Sequence, residues 1–133
     1  MKKDLDKTAL FSFLKAKGFK INKATSSDYF GDYFEILTSK LFQIRLIQDR
    51  SLQSMDISSA LDKSNWYELS LVKALINNEE KLDTVTTISE IQNFLIDNFS
   101  HIQDLFNRVN YPKTKSKLDD LRNIRMRQMF PNG

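Results

Sequence analysis

His101 is the side chain best suited to acid–base or metal chemistry, because it is the only imidazole in the chain. Asp97 and Asp104 precede and follow it at spacings that put all three side chains on one face of a helix. That arrangement could bind a metal ion or move a proton. The same residues and Arg108 also trace the polar side of an amphipathic helix, which is the interpretation we favour. Because there is no second histidine and no cysteine to complete a site, the sequence predicts no metal centre.

Other catalytic patterns are missing from the sequence. It contains no cysteine and only three glycines, so thiolate chemistry is excluded and a glycine-rich phosphate loop is not indicated. It also lacks the Gly-x-Ser-x-Gly motif that exposes a nucleophilic serine. We therefore predict that the protein is not an enzyme and needs no cofactor. A carboxylate-dependent enzyme built around His101, or around Glu35 and Asp56, stays open as a third hypothesis.

Three charged residues, Glu35, Arg45 and Asp56, are candidates for a row across neighbouring strands. A loop at 39–41 pairs Glu35 with Arg45 and leaves one strongly apolar sheet face. A turn at 49–51 then places Arg45 beside Asp56. Such a row is typical of a cross-strand ion ladder, in which an exposed pair contributes roughly 0–1 kcal/mol. It could instead belong to a polar and aromatic surface that binds a partner.

The elements that must position these residues follow from the hydrophobic periodicity. The pattern predicts a helix over 4–17 that is ended by Gly18. After the strands it predicts a helix over 65–77, a second that begins at the Thr87 capping box and a third that opens near Pro112. Four segments between the first helix and the later ones read as strands: about 19–25, 32–38, 42–48 and 52–57.

These elements predict one α+β domain over 1–133. It consists of an N-terminal helix, a four-stranded antiparallel meander and three helices packed on one sheet face. The C-terminal helix, about 112–130, can lie at the periphery of this domain.

The net charge of +3 is unevenly distributed along the chain. Residues 1–23 carry seven lysines and two aspartates, and residues 108–133 carry seven basic residues and two aspartates. Residues 24–107 carry six basic and thirteen acidic residues. The first and last helices are therefore basic, whereas the sheet and the helices after it are acidic, so the two kinds of region should prefer partners of opposite charge.

The basic C-terminal segment is the candidate for binding nucleic acid, which we hold as the alternative function. Its cations could contact phosphates. They do not form one clean stripe, however, and the spacing of Lys115 and Arg122 around Asp119 indicates internal pairing. We favour a solvated helix that docks through its leucines and isoleucine. The six cations are Lys113, Lys115, Lys117, Arg122, Arg125 and Arg127.

Residues 42–72 carry a strand with an arginine, an Asp-Arg turn, a return strand with Asp-Ile and a Trp-x-x-Leu segment. The segments are Phe42-Gln43-Ile44-Arg45, Asp49-Arg50, Met55-Asp56-Ile57 and Trp66-Tyr67-Glu68-Leu69. This order resembles small bacterial α+β immunity proteins of polymorphic-toxin and contact-dependent inhibition systems. The resemblance implies a cytoplasmic protein that binds and blocks a cognate toxin domain.

The leading hypothesis is therefore an immunity-type inhibitor whose acidic middle meets a basic toxin domain, since complementary charge speeds and steers association. A cytoplasmic location is expected because the N-terminus lacks the apolar stretch of a signal peptide. No membrane partner is expected, since no apolar run approaches the roughly 20 residues of a membrane span. The predicted interface consists of Tyr29, Asp32, Arg45, Asp49 and Asp56.

Overall fold

A computed structural model describes residues 6–27, 32–49 and 52–131. Within these ranges the chain forms five α-helices and one antiparallel sheet with the strand order β1-β2-β3-β4-β5. The α+β class and the antiparallel order of the strands are confirmed, whereas the N-terminal helix is shorter than predicted and the sheet has one strand more. The strands are β1 Lys20–Ser27, β2 Asp32–Thr38, β3 Phe42–Asp49, β4 Leu52–Ser59 and β5 Tyr67–Glu68. The helices are α1 Lys7–Ala16, α2 Leu69–Asn77, α3 Ile88–Asp97, α4 Phe99–Leu105 and α5 Tyr111–Met129.

Local signals end α1 and start α3 as the sequence predicts. The Asp6 side chain accepts a hydrogen bond from the backbone N–H of Ala9 and caps α1. Gly18 follows α1 with a φ of 89°, a conformation that glycine adopts without a steric penalty. Thr87 caps α3 by accepting from the N–H of Glu90 at 3.2 Å. These helix ends thus follow from capping residues that are adjacent in the chain.

The predicted register of the β2–β3 hairpin is wrong by one residue. Ile36 lies opposite Arg45, and Glu35 lies opposite Leu46. The cause is the turn, in which the backbone N–H of Ser39 donates to the carbonyl oxygen of Phe42 at 3.0 Å. Because successive side chains of a strand point to opposite faces, this shift moves Glu35 to the face that carries the core.

The sheet has a fifth strand that the sequence analysis missed. Tyr67 and Glu68 pair with Ile57 and Asp56, so the residues expected at the start of a helix near 65 extend the sheet, and α2 begins only at Leu69. Pairing places Tyr67 on the core face, where it is 1% exposed. Burial of this large side chain explains why the segment stays extended.

Four helices follow the sheet in the described ranges, where three were predicted. The expected helix that begins at the Thr87 capping box is divided at Asn98 into α3 and α4. The amide of Asn98 donates to the carbonyl oxygen of Phe94 at 3.1 Å and satisfies an acceptor at the end of α3. The last helix extends from Tyr111 to Met129, close to its predicted bounds.

One hydrophobic core joins the inner sheet face to the helices. Leu37, Ile44, Leu46 and Ile57 supply the sheet side. The helix side includes Leu10, Leu14, Val72, Leu95, Ile102 and Leu118. The helices after the sheet therefore pack on the same face as α1.

Aromatic rings fill the end of the core near the β2–β3 turn. The ring of Phe42 lies 5.3 Å from that of Phe19, 5.7 Å from that of Phe99 and 5.9 Å from that of Phe106, measured between centroids. These separations fall in the range of favourable tilted and edge-to-face pairs. Phe42 is therefore the centre of a cluster that connects β3 to α4.

We expect Phe42→Ala to lower the free energy of unfolding by about 3–5 kcal/mol, because it leaves a cavity in this cluster. Phe130→Ala is the matched control, since Phe130 is 57% exposed, and it should change stability by less than about 0.5 kcal/mol. Urea unfolding of both variants measures the difference. Equal effects would contradict the placement of Phe42 at the centre of the core.

Candidate functional site

The sheet face opposite the core carries a buried ion pair between β3 and β4. Arg45 lies opposite Asp56 in the register, as the sequence predicts. The guanidinium donates to one carboxylate oxygen of Asp56 from Nε at 3.1 Å and from Nη2 at 2.7 Å. The side chain of Asp56 is 8% exposed and that of Arg45 is 23% exposed, so the charges are held away from most of the solvent.

The predicted third member of this row, Glu35, is not part of it. The one-residue shift of the hairpin places Glu35 on the core face, where it forms an ion pair with Lys7 of α1. Glu35 and Asp56 consequently lie on opposite faces of the sheet. They do not form the carboxylate pair that one version of the enzyme hypothesis requires.

An aromatic ring and a second ion pair extend the site. The guanidinium carbon of Arg45 lies 4.3 Å from the ring centroid of Trp66, a distance typical of cation–π stacking. Glu68 neighbours Asp56 in the register and accepts a hydrogen bond from Arg125 of α5 at 2.6 Å. A row of charged side chains, in which two carboxylates lie between two arginines, therefore connects β3 to the C-terminal helix.

The environment of Asp56 is electrostatically unfavourable for its charged form. Burial raises the pKa of the Asp56 carboxyl above its ordinary value, while the hydrogen bond and charge of Arg45 act to lower it. The negative charge of Glu68 raises the pKa further. Arg45 therefore offsets part of the electrostatic cost of burying the Asp56 carboxylate.

Part of this face is accessible to solvent. Ile36 and Ile47 are half-buried and lie on the side of the sheet away from the core, and Leu52 beside them is 76% exposed. Towards the other end the face is closed, because Gln43 and Ser58 are buried and joined by a 2.9 Å hydrogen bond. We call the region of Ile36, Ile47 and Leu52, with the adjoining Arg45–Asp56 pair, the open face.

Of the five predicted interface residues, Arg45 and Asp56 belong to the open face. Nothing is described of the side chains of Asp32 and Asp49, and Tyr29 lies outside the described residues.

The basic residues of α5 are divided between internal bonds and solvent. Lys115 pairs with Asp119 at 2.8 Å, in agreement with the internal pairing expected from their spacing. The guanidinium of Arg122 lies 4.3 Å from the ring centroid of Tyr67 and donates to the carbonyl oxygen of Trp66 at 3.3 Å. Arg125 bonds Glu68 and also donates to the Ser70 hydroxyl at 3.1 Å.

The remaining cations of α5 lie elsewhere on the helix surface. Lys113 and Lys117 line a groove of about 230 Å³ together with His101 of α4, and Arg127 is exposed. His101 is itself exposed, as expected for the polar side of an amphipathic helix. Of the six candidate phosphate contacts, three therefore make bonds within the protein and three lie at the surface in different places.

A network of two tyrosines and two aspartates was not foreseen from the sequence. Tyr67 donates to Asp119 at 2.6 Å, and Tyr111 donates to Asp62 at 3.0 Å. The Asn65 amide donates to Asp62 at 3.1 Å and to the Tyr67 oxygen at 3.0 Å. Burial, followed by the bond to a carboxylate, raises the pKa of both phenols. The network fastens the segment before β5, and with it Trp66, to α5.

Residues 6–27, 32–49 and 52–131 contain no group of three or more His, Asp or Glu side chains arranged to hold a metal ion. No helix in these ranges combines the length and the apolar character needed to span a bilayer.

No protein-family model matches the chain, and the comparisons with curated proteins and with solved structures find no match either.

Removing Arg45 tests the ion pair and gives a pH signature. Arg45→Met leaves the Asp56 carboxylate buried without its partner, so we expect a loss of about 3–5 kcal/mol at neutral pH. Because the folded-state pKa of Asp56 is already raised and rises further without Arg45, the folded protein binds a proton more readily than the unfolded chain does. The loss should therefore shrink as pH falls through that pKa. Urea unfolding at neutral and acidic pH measures this dependence.

The double variant Arg45→Met with Asp56→Asn is the control for this prediction. It removes both charges, so at neutral pH it should be more stable than Arg45→Met alone. A loss in Arg45→Met that does not change with pH would show that Asp56 is not the group responsible.

Two arginines of α5 allow a matched test of internal bonding. Arg122→Gln removes the stacking on Tyr67 and the bond to Trp66, so unfolding free energy should fall by about 1–2 kcal/mol. Arg127→Gln alters an exposed side chain and should have an effect below about 0.5 kcal/mol. Thermal and urea unfolding compare the two, and equal values would contradict the contact of Arg122 with the sheet.

Proposed function

We propose that the protein is a cytoplasmic, non-catalytic inhibitor of the immunity type, which binds a toxin domain through the open face and covers a functional surface of that domain. The observation that carries the proposal is the composition of this face. Half-buried and exposed aliphatic side chains lie directly beside a buried, oriented ion pair. Aliphatic contacts next to well-ordered polar groups are the usual ingredients of a specific protein interface.

Rigidity favours the same role. Arg45 bonds Asp56 and lies over the ring of Trp66. The carbonyl oxygen of Trp66 in turn accepts a hydrogen bond from Arg122. Side chains that are already ordered in the free protein lose little entropy when a partner binds. The open face therefore supports binding by a surface that is largely formed in advance.

The composition of the middle segment favours a basic partner. Asp56 and Glu68 are paired with Arg45 and Arg125, so the excess of acidic residues comes from the rest of segment 24–107, which carries thirteen acidic and six basic residues in all. Toxin domains that attack nucleic acid need a cationic surface to bind it. An acidic inhibitor would be steered to that surface and would exclude the nucleic acid.

The test uses the toxin-like domain that we expect the neighbouring gene to encode. Leu52→Glu puts a charge on the open face at a position that is 76% exposed, so the fold should tolerate it. We expect the dissociation constant for the toxin domain to rise by about tenfold, or ~1.4 kcal/mol. Titration calorimetry measures the affinity, and growth after co-expression with the toxin measures protection.

Val109→Glu is the matched control, because Val109 is 85% exposed and lies between α4 and α5, away from the open face. It should bind and protect like the unaltered protein. Equal weakening by both substitutions would place the interface elsewhere. If no toxin domain binds but the protein binds nucleic acid with an affinity that falls as salt is added, the proposal is wrong. The alternative function, nucleic-acid binding through the basic residues of α5, would then be favoured.

A further inference from the structure

The outer edge of β4 is only partly occupied. Within the described residues, β5 pairs with β4 only at Asp56 and Ile57, whereas β3 pairs with β4 from Leu52 to Ser59. Residues 52–55 therefore form a strand edge with no strand beside it. In an antiparallel sheet every second residue directs both its N–H and its C=O towards each neighbour, so this edge presents unpaired backbone donors and acceptors.

A groove lies directly along this edge. It has a volume of about 290 Å³, and Gln53, Ser54 and Met55 of β4 line one side of it. Leu82, Ile91 and Met129, from three different parts of the chain, are among the residues that complete the lining. The groove thus combines a backbone edge with a mixed lining of apolar and polar side chains. A ligand that fits both would present backbone N–H and C=O groups together with apolar side chains.

The opposite wall is anchored in place. The segment from 82 to 86, which lines the groove, begins at Leu82, whose N–H donates to the Gln128 side chain at 2.7 Å. The same amide of Gln128 donates to the carbonyl oxygen of Glu80 at 2.8 Å. These bonds hold the wall against α5, so the groove exists before any ligand arrives, which lowers the entropy lost on binding.

The charges of the groove favour a basic ligand. Its charged lining residues are Glu68, Asp83 and Arg125. Arg125 is already bonded to Glu68 at 2.6 Å, so the exposed carboxylate of Asp83 leaves the groove with an excess negative charge. A lysine or arginine on the ligand would complement it.

We infer that the groove binds an extended segment of a partner polypeptide, which adds to the free edge of β4 in line with β5, inserts alternate apolar side chains into the groove and places a Lys or Arg near Asp83. Addition of a strand to an open sheet edge is an established mode of peptide recognition, in which main-chain bonds supply affinity and pockets supply specificity. The inference rests on the proposed function only in taking a polypeptide as the partner.

A synthetic peptide tests the inference without knowledge of the partner. The probe alternates valine and threonine, has a lysine at each end and is N-methylated at alternate residues, so that one edge alone can form hydrogen bonds. We expect it to shift the backbone amide NMR signals of residues 52–55 and to slow their hydrogen exchange. A peptide N-methylated at every residue, and one with glutamate in place of lysine, should bind at least about fivefold more weakly.

A pair of valine substitutions is the control within the protein. Val85 is 92% exposed and lines the groove, so Val85→Lys adds a like charge facing the basic peptide without a loss of core packing. It should weaken the peptide by about fivefold. Val109→Lys, at the 85% exposed position remote from the groove, should leave binding unchanged.

Three results would overturn the inference. The first is that the peptide changes neither the amide NMR signals nor the hydrogen exchange of residues 52–55, and the second is that the fully methylated peptide binds as tightly as the probe. The third is that hydrogen exchange at this edge slows with rising protein concentration and does not respond to the peptide. The last result would assign the edge to a second copy of the chain. These failures differ from failure of the proposed function, which is measured with the toxin domain and Leu52→Glu. A toxin complex that forms while the peptide does not bind would leave the open face as the interface and remove only the strand addition.

Discussion

Ser39 closes the β2–β3 hairpin by donating both its backbone N–H and its hydroxyl to the carbonyl oxygen of Phe42, at 3.0 and 2.8 Å. This closure sets the register of the two strands, and the register decides which side chains share a face. Glu35 is directed to the core side, where Lys7 pairs with it. Arg45 lies on the opposite face, where its partner is the carboxylate of Asp56. The two faces of the sheet owe their different chemistry to this turn.

The Arg45–Asp56 pair then links elements that are far apart in the chain. Trp66 packs on Arg45, Glu68 continues the row, and Arg125 of α5 bonds Glu68. A buried ion pair of this kind contributes little net stability, but losing one partner is costly because the other charge stays buried. Its main consequence here is orientation, since the charged groups of the open face are held in one arrangement.

The open face and the groove meet along the same stretch of β4. The side chain of Leu52 belongs to the open face, while residues 53–55 line the groove. A partner that added a strand at this edge would extend the sheet and enlarge the open face at the same time. Backbone hydrogen bonds at the edge and apolar contacts on the face would then be made by one continuous surface, which is how a small domain can bury enough area for a stable complex.

Elements whose signals are local were predictable from the sequence, whereas their pairings were not. The stop at Gly18, the cap at Thr87 and the bounds of β2 depend on residues close together in the chain, so periodicity and capping chemistry were sufficient. The neighbourhood of Arg45 and Asp56 was also predictable, because the two strands are consecutive and both carry their charge at matching positions. Glu35 was assigned to the wrong face because a turn shorter by one residue shifts the register, and this shift moves every side chain of the strand to the opposite face of the sheet.

Only the tertiary structure decided the role of the residues that follow the sheet. The segment from Trp66 to Leu69 reads as a helix start, yet Tyr67 becomes a strand residue because it is buried against Ile57 and bonds Asp119, a residue of the distant α5. The free edge of β4 follows from the shortness of this strand. The sequence by itself determined the α+β class and the places where charge is concentrated, because these depend on local pattern and composition. The tertiary structure determined which charges meet and which strand edge stays open, because these depend on contacts between residues far apart in the chain.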